Sequence, residues 1–76
     1  MGGMEPMTLL TRTQLRELEH AGVLTERQRE LLELRDHFHM SQYTVAIGWG
    51  VSRSTVRSVE REARMRIDRH FNKETA

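Results

Sequence analysis

The chain has 76 residues, a net charge of +1, 37% hydrophobic residues and no cysteine. That length allows one small domain and leaves few apolar residues to wall a catalytic pocket, and the missing cysteines exclude disulfides and thiolate metal sites. No apolar run approaches the roughly 20 residues of a membrane span, and the start MGGMEPM lacks the basic-then-apolar order of a signal peptide, so a reducing, cytoplasmic compartment is expected.

Residues 1–10 read as a disordered tail, residues 11–72 as one helix-turn-helix domain and residues 73–76 as a second short tail. Helix signals follow one another from Thr11, and no alternating strand of useful length interrupts them. The first helix is expected from about Thr13 to His20, capped by Thr11 or Thr13, with Leu15 and Leu18 on one face and Gly22 as its stop. Thr25-Glu26-Arg27-Gln28 has the spacing of a capping box and starts the second helix. Its apolar stripe is Leu31, Leu32, Leu34 and Phe38, and its end falls between Asp36 and His39. Ser41 caps a short third helix that turns Val45, Ala46 and Trp49 inward and ends at Gly50. Ser52 caps the fourth, which runs to about Phe71 with Val56, Val59, Ala63 and Ile67 as its inner stripe. The fold class is therefore all-α, a small four-helix domain with a C-terminal helix-turn-helix.

Charge is unevenly spread. Residues 1–50 carry five arginines and seven acids, a balance of −2; residues 51–76 carry six arginines, one lysine and four acids, a balance of +3. Arg53, Arg57, Arg61 and Arg64 recur at helical spacing on a face other than that of the valines. Counted from Gln42, Val45 is fourth, Ala46 fifth, Trp49 eighth, Gly50 ninth, Val51 tenth, Val56 fifteenth and Val59 eighteenth. A helix-turn-helix needs a small residue fifth, where the helices cross, and positive φ ninth, where the chain turns; the others close a small core. The outer side of the second helix of the pair is then free to enter a major groove. Arg53 and Ser54 stand in its first turn, and Ser52 joins a cap to an exposed helix N-terminus that favours phosphate. Thr55, Arg57, Ser58 and Arg61 are further DNA-binding residues, divided between base edges and backbone. The Tyr43 hydroxyl either touches a phosphate or faces solvent.

Leu24 to about Asp68 resembles the fourth conserved region of bacterial sigma factors. LTERQRELLELRDHF looks like its first helical part and VSRSTVRSVEREARMRI like its recognition helix, where Val51, Ser52, Arg53, Val56, Arg57, Glu60 and Ala63 match outright. The resemblance implies sequence-specific binding of double-stranded DNA, with base reading at Arg53, Ser54 and Ser58, and contact with RNA polymerase. Ser54 stands for the family's glutamate, Ser58 for its glutamine and Arg64 for a leucine, so the sequence read need not be the family's own. A stand-alone regulator, such as a phage or mobile-element transcription factor, suits the length.

No carboxylate pair, nucleophile–base pair or phosphate loop points to an enzyme, and no cofactor or metal is expected. His37 and His39, two residues apart on a helix end, point apart and suit surface or capping roles. Trp49 belongs to the core rather than to base stacking, and Gly48 makes room for it. The competing reading is a protein-interaction module that binds RNA polymerase or a regulator through Met40, Met65 and Phe71. Met65 to Phe71 is also the segment on which a homodimer would form.

Overall fold

The computed structural model describes residues 9–75 and contains four helices among them. These are α1 (Arg12–His20), α2 (Glu26–Asp36), α3 (Gln42–Trp49) and α4 (Arg53–Thr75). Residues 1–8 and 76, the greater part of the expected tails, lie outside the described residues. None of the helices is long and apolar enough to cross a membrane.

Each helix starts where a side chain accepts from its first free amides. Of the two threonines open for α1, Thr11 is the cap: its Oγ1 accepts from the Gln14 amide (3.0 Å), while Gln14 Oε1 accepts from the Thr11 amide (2.9 Å). Thr25 and Gln28 form the same reciprocal pair at α2. Ser41 caps α3 through the Thr44 amide, and Ser52 caps α4 through the Thr55 amide (3.2 Å). Gly22 ends α1 at φ 82°, with Val23 donating back to the Leu18 carbonyl. Gly50 ends α3 at φ 73°; its amide and that of Val51 both return to the Ala46 carbonyl. α4 continues four residues past the expected Phe71, because nothing from Phe71 to Thr75 breaks a helix.

The core has two lobes, with α2 contributing to both. Leu32 joins Leu15, Leu18, Leu24 and Ala63, with Leu10, Val23 and Ile67 packed around them. Leu31 joins Val45, Ala46 and Val56, with Leu34, Met40, Trp49, Val51 and Val59 around them. The valine stripe of α4 thus serves α3 with its first half and α1 with its second. All seven helix-turn-helix positions converge in or beside the second lobe, Gly50 supplying the left-handed turn.

Several side chains depart from expectation. Phe38 leaves the apolar stripe and is 53% exposed, because α2 ends at Asp36; the Arg12 guanidinium lies 5.1 Å from its ring. Leu24, outside any helix, takes a core place instead. Met40 packs on the second lobe and is withdrawn from the expected apolar contact surface. Gly48 makes no room for Trp49: a Cβ there would meet nothing within 4 Å. His37 caps α2, and its Nε2 donates to the Leu10 carbonyl (2.7 Å), which fixes the tautomer and draws residue 10 onto the domain. His39 adopts φ 57°, a left-handed conformation tolerated by histidine better than by branched residues.

Two buried carboxylates tie the helices together. Glu33 accepts from Arg29 (3.1 Å) and Arg16 (3.2 Å), with Arg12 at 3.9 Å. Glu60 Oε1 accepts from Arg35 Nε (2.9 Å) and Gln42 Nε2 (3.0 Å); its Oε2 accepts from Arg64 Nε and Nη2 (3.0 and 2.9 Å). Burial alone would push the Glu60 carboxyl up, but hydrogen bonds from Gln42, Arg64 and Arg35 outweigh it and hold the carboxyl below the usual glutamate range. Because the folded value is depressed, this stabilisation is complete above the unfolded chain's glutamate value. It is lost as pH falls through the lower folded value.

Two outcomes are expected. Gly50→Ala should cost about 1–2 kcal/mol in denaturant unfolding, since alanine at positive φ is strained while the space for its Cβ is open; an unchanged midpoint would contradict the turn. In thermal melts taken from about pH 7 down to about pH 3, the stability gap between the natural chain and Glu60→Gln should close as pH falls; a gap independent of pH would contradict the ionised hub.

Candidate nucleic-acid interface

The site is built outward from the second lobe. Gly50 turns the chain, Val51 packs back onto that lobe, and Ser52 starts α4. With Val56 and Ala63 fixed inward, a period of 3.6 residues puts Ser54 and Ser58 on the opposite side of α4. Arg53, Arg57 and Arg61 occupy three successive turns beside them, and all five are exposed. Ser54, Arg57, Ser58 and Arg61 together line a surface depression. At 23 residues α4 is about 34 Å long, nearly three times the roughly 12 Å width of a major groove, so a helix that enters end-on inserts only its leading turns.

Of the eleven arginines, six are tied to carboxylates, three stand free on the leading turns of α4, and Arg27 and Arg69 lie elsewhere without an ion pair among the described residues. Arg12, Arg16, Arg29, Arg35, Arg64 and Arg66 each pair with a carboxylate of the domain itself. Arg64, expected beside Arg53, Arg57 and Arg61 on the charged face, instead bridges Glu60 to Asp36, with Asp36 at 3.0 Å. Among the described residues, Arg53, Arg57 and Arg61 have no ion pair or hydrogen bond, so their charges are uncompensated locally. The spacing already put these arginines on one face; which of them stay unpaired there depends on carboxylates that the fold brings from other helices.

Ser52 and Thr55 are exposed, but their hydroxyls lie 3.1 Å apart and engage one another at the cap. Tyr43 sits in the first turn of α3 and is 64% exposed. Ile47 lies one turn further along the same helix face and is 65% exposed. Thus the site residues expected on α4 lie on its leading turns, while Tyr43 stands on the neighbouring helix.

Sequence reasoning missed Arg27. Its guanidinium lies 4.2 Å from the centre of the Trp49 ring, which is half-buried against the second lobe. Arg27 thereby stands beside the turn into α4 with no carboxylate partner among the described residues. Within the second helix Arg27 reads as an ordinary first-turn residue, and only the packing of α2 on α3 brings it to the tryptophan.

Neither the curated proteins nor the solved structures contain a match to this chain. A family model does match, over residues 22–69, more than half of the chain, and its description is Sigma-70, region 4. The matched span runs from the glycine that ends α1 through all the leading turns of α4. With a four-helix fold, a left-handed turn at Gly50 and an arginine-lined outer face, the chain belongs to the Sigma-70, region 4 family of DNA-binding helix-turn-helix domains.

Proposed function

We propose that this domain binds double-stranded DNA sequence-specifically and acts in transcription control, without catalysing a reaction. The observation that carries the reading is the placement of Arg53, Arg57 and Arg61. They stand unpaired among the described residues on the leading turns of α4, while six other arginines are held by the domain's own carboxylates. Such a face meets a polyanion without first breaking internal ion pairs. Arg53, Ser54 and Ser58 read base edges. Arg57, Arg61, the Ser52 helix start, Tyr43 and Arg27 hold phosphates. Thr55 contributes through the cap it shares with Ser52.

A second contact is supported by a different surface. Leu9, Leu10, Leu15, Leu32, Ile67 and Phe71, together with Asp36, Arg64 and Asp68, line a mostly apolar depression away from the leading turns of α4. Leu9 and Phe71 on it are exposed. Sigma region 4 domains bind RNA polymerase as well as DNA, and we assign this depression to a polymerase contact. A homodimer through Met65 and Phe71 is the competing occupant; sedimentation at several concentrations separates them, since a chain that stays monomeric at high micromolar concentration has no such dimer.

Selection of duplexes from a random pool supplies the probe for DNA binding. The logarithm of affinity should fall against the logarithm of salt with a slope of about −3, the release expected from three to four neutralised phosphates. Affinity that hardly responds to salt would overturn the reading. Arg53→Ala should lose about 1–3 kcal/mol of discrimination between the selected and a random duplex, whereas Arg61→Ala should weaken both alike and lower the slope by about 1. Equal effects of the two substitutions on both duplexes would contradict the division of roles.

A further inference from the structure

We propose that Glu60 is a positioning residue for DNA recognition, one carboxylate that sets the rotation of α4 against α2 and α3 and thereby aims Arg53 and Arg57. This rests on the DNA-binding reading above. Glu60 is 8% exposed, and its hydrogen bonds go to Arg35, Gln42 and Arg64 rather than to Arg53, Arg57 or Arg61. It lies seven residues after Arg53 and three after Arg57, on the same side of α4. The donors on it come from three separate elements: Arg35 from α2, Gln42 from the first turn of α3, and Arg64 from α4 itself. Arg35 also donates to the Met40 carbonyl (3.0 Å), directly ahead of the α3 cap, and Arg64 grips Asp36 at the end of α2 through two further hydrogen bonds. The charged groups around Glu60 are therefore Arg35 and Asp36 on α2 and Arg64 on α4, with the neutral Gln42 on α3.

Apolar contacts cannot set this rotation alone. The side chains that α3 and α4 give to their shared lobe are Val45, Ala46, Trp49, Val56 and Val59, and the hydrophobic effect that joins them has no direction. Hydrogen bonds do have direction. Buried ion pairs are seldom needed for stability, since well-packed apolar replacements are often neutral or stabilising. A hub of this kind contributes a defined arrangement more than net stability. In this chain Arg64 stands where the family pattern has leucine, so apolar packing at that place has been exchanged for a directional bond.

The closing experiment uses Glu60→Met combined with Arg64→Leu, which leaves net charge unchanged, together with Glu60→Gln, each on the full chain. The double variant leaves Arg35, Gln42 and Asp36 without these partners, so its affinities are read well below its own melting temperature. Its affinity for a random duplex should stay within about twofold, and its affinity for the selected duplex should fall about tenfold, the loss of roughly one bidentate base contact. Glu60→Gln removes a negative charge, so electrostatics alone would raise its affinity for any DNA. Positioning requires instead that its affinity for the selected duplex falls, measured well below its melting temperature. Natural affinity for the selected duplex in both variants would overturn the proposal. So would a double variant that loses both duplexes in parallel with its melting temperature, since that marks a merely structural role. If the natural chain itself does not prefer the selected duplex, the DNA reading fails, and amide spectra decide the positioning claim alone. Shifts in the double variant across residues 42–49 and 53–57 support it; unchanged amides there overturn it.

Discussion

Everything the outer face of α4 can do depends on the crossing of α3 and α4 at Ala46 and Gly50. Ala46 is small enough to sit buried between the helices, and its carbonyl accepts from both Gly50 and Val51. The left-handed residue at Gly50 then turns the chain within a few residues, so Val56 falls on the same lobe that holds Val45 and Leu31. Once Val56 is fixed inward, helical geometry puts Ser54, Ser58 and Arg61 on the outer side of α4, and only the finer rotation is left for the Glu60 hub to set. The chemistry of the surface is in that sense a consequence of two small residues in the interior.

The electrostatics follow a division of labour. A chain with nearly balanced charge would be a poor ligand for DNA if its acids and bases were mixed evenly. Here Glu33 and Glu60, both buried, gather arginines from α1, α2 and α4 and use them as ties between helices. Arg53, Arg57 and Arg61 have no such partner among the described residues. Their long stems and planar heads suit both phosphate and guanine. Because these carboxylates engage other arginines, the leading face of α4 keeps a local positive charge that the net charge of +1 does not show.

Much of the architecture was legible because it rests on local rules. The capping pair at Thr25 and Gln28, the turn at Gly50 and the valine stripe of α4 are decided within a few residues of sequence, and each stands where those rules put it. The choice of Thr11 over Thr13 turned on Gln14, which completes a reciprocal pair that the sequence also contained. What could not be read is what depends on contacts between distant segments. Leu24 lies in a loop by pattern and in the core by packing; Phe38 does the reverse, since the helix meant to carry it inward stops short. Arg64 looks like its neighbours Arg57 and Arg61 until Asp36 and Glu60 are brought to it, and Arg27 shows its place only when Trp49 arrives beneath it. At the interface the fold-defining residues were legible; the fate of each arginine was not, because a guanidinium's role depends on which carboxylates can reach it.

The central claim is that the domain keeps one set of arginines for itself and presents another. Arginine side-chain NMR resonances, followed during titration with the selected duplex, test it most directly. The Nε–Hε signals of Arg53, Arg57 and Arg61 should shift strongly, while those of Arg29 and Arg35, held on Glu19, Glu33 and Glu60, stay in place. Shifts confined to Arg29 and Arg35, with the α4 signals unmoved, would contradict the account.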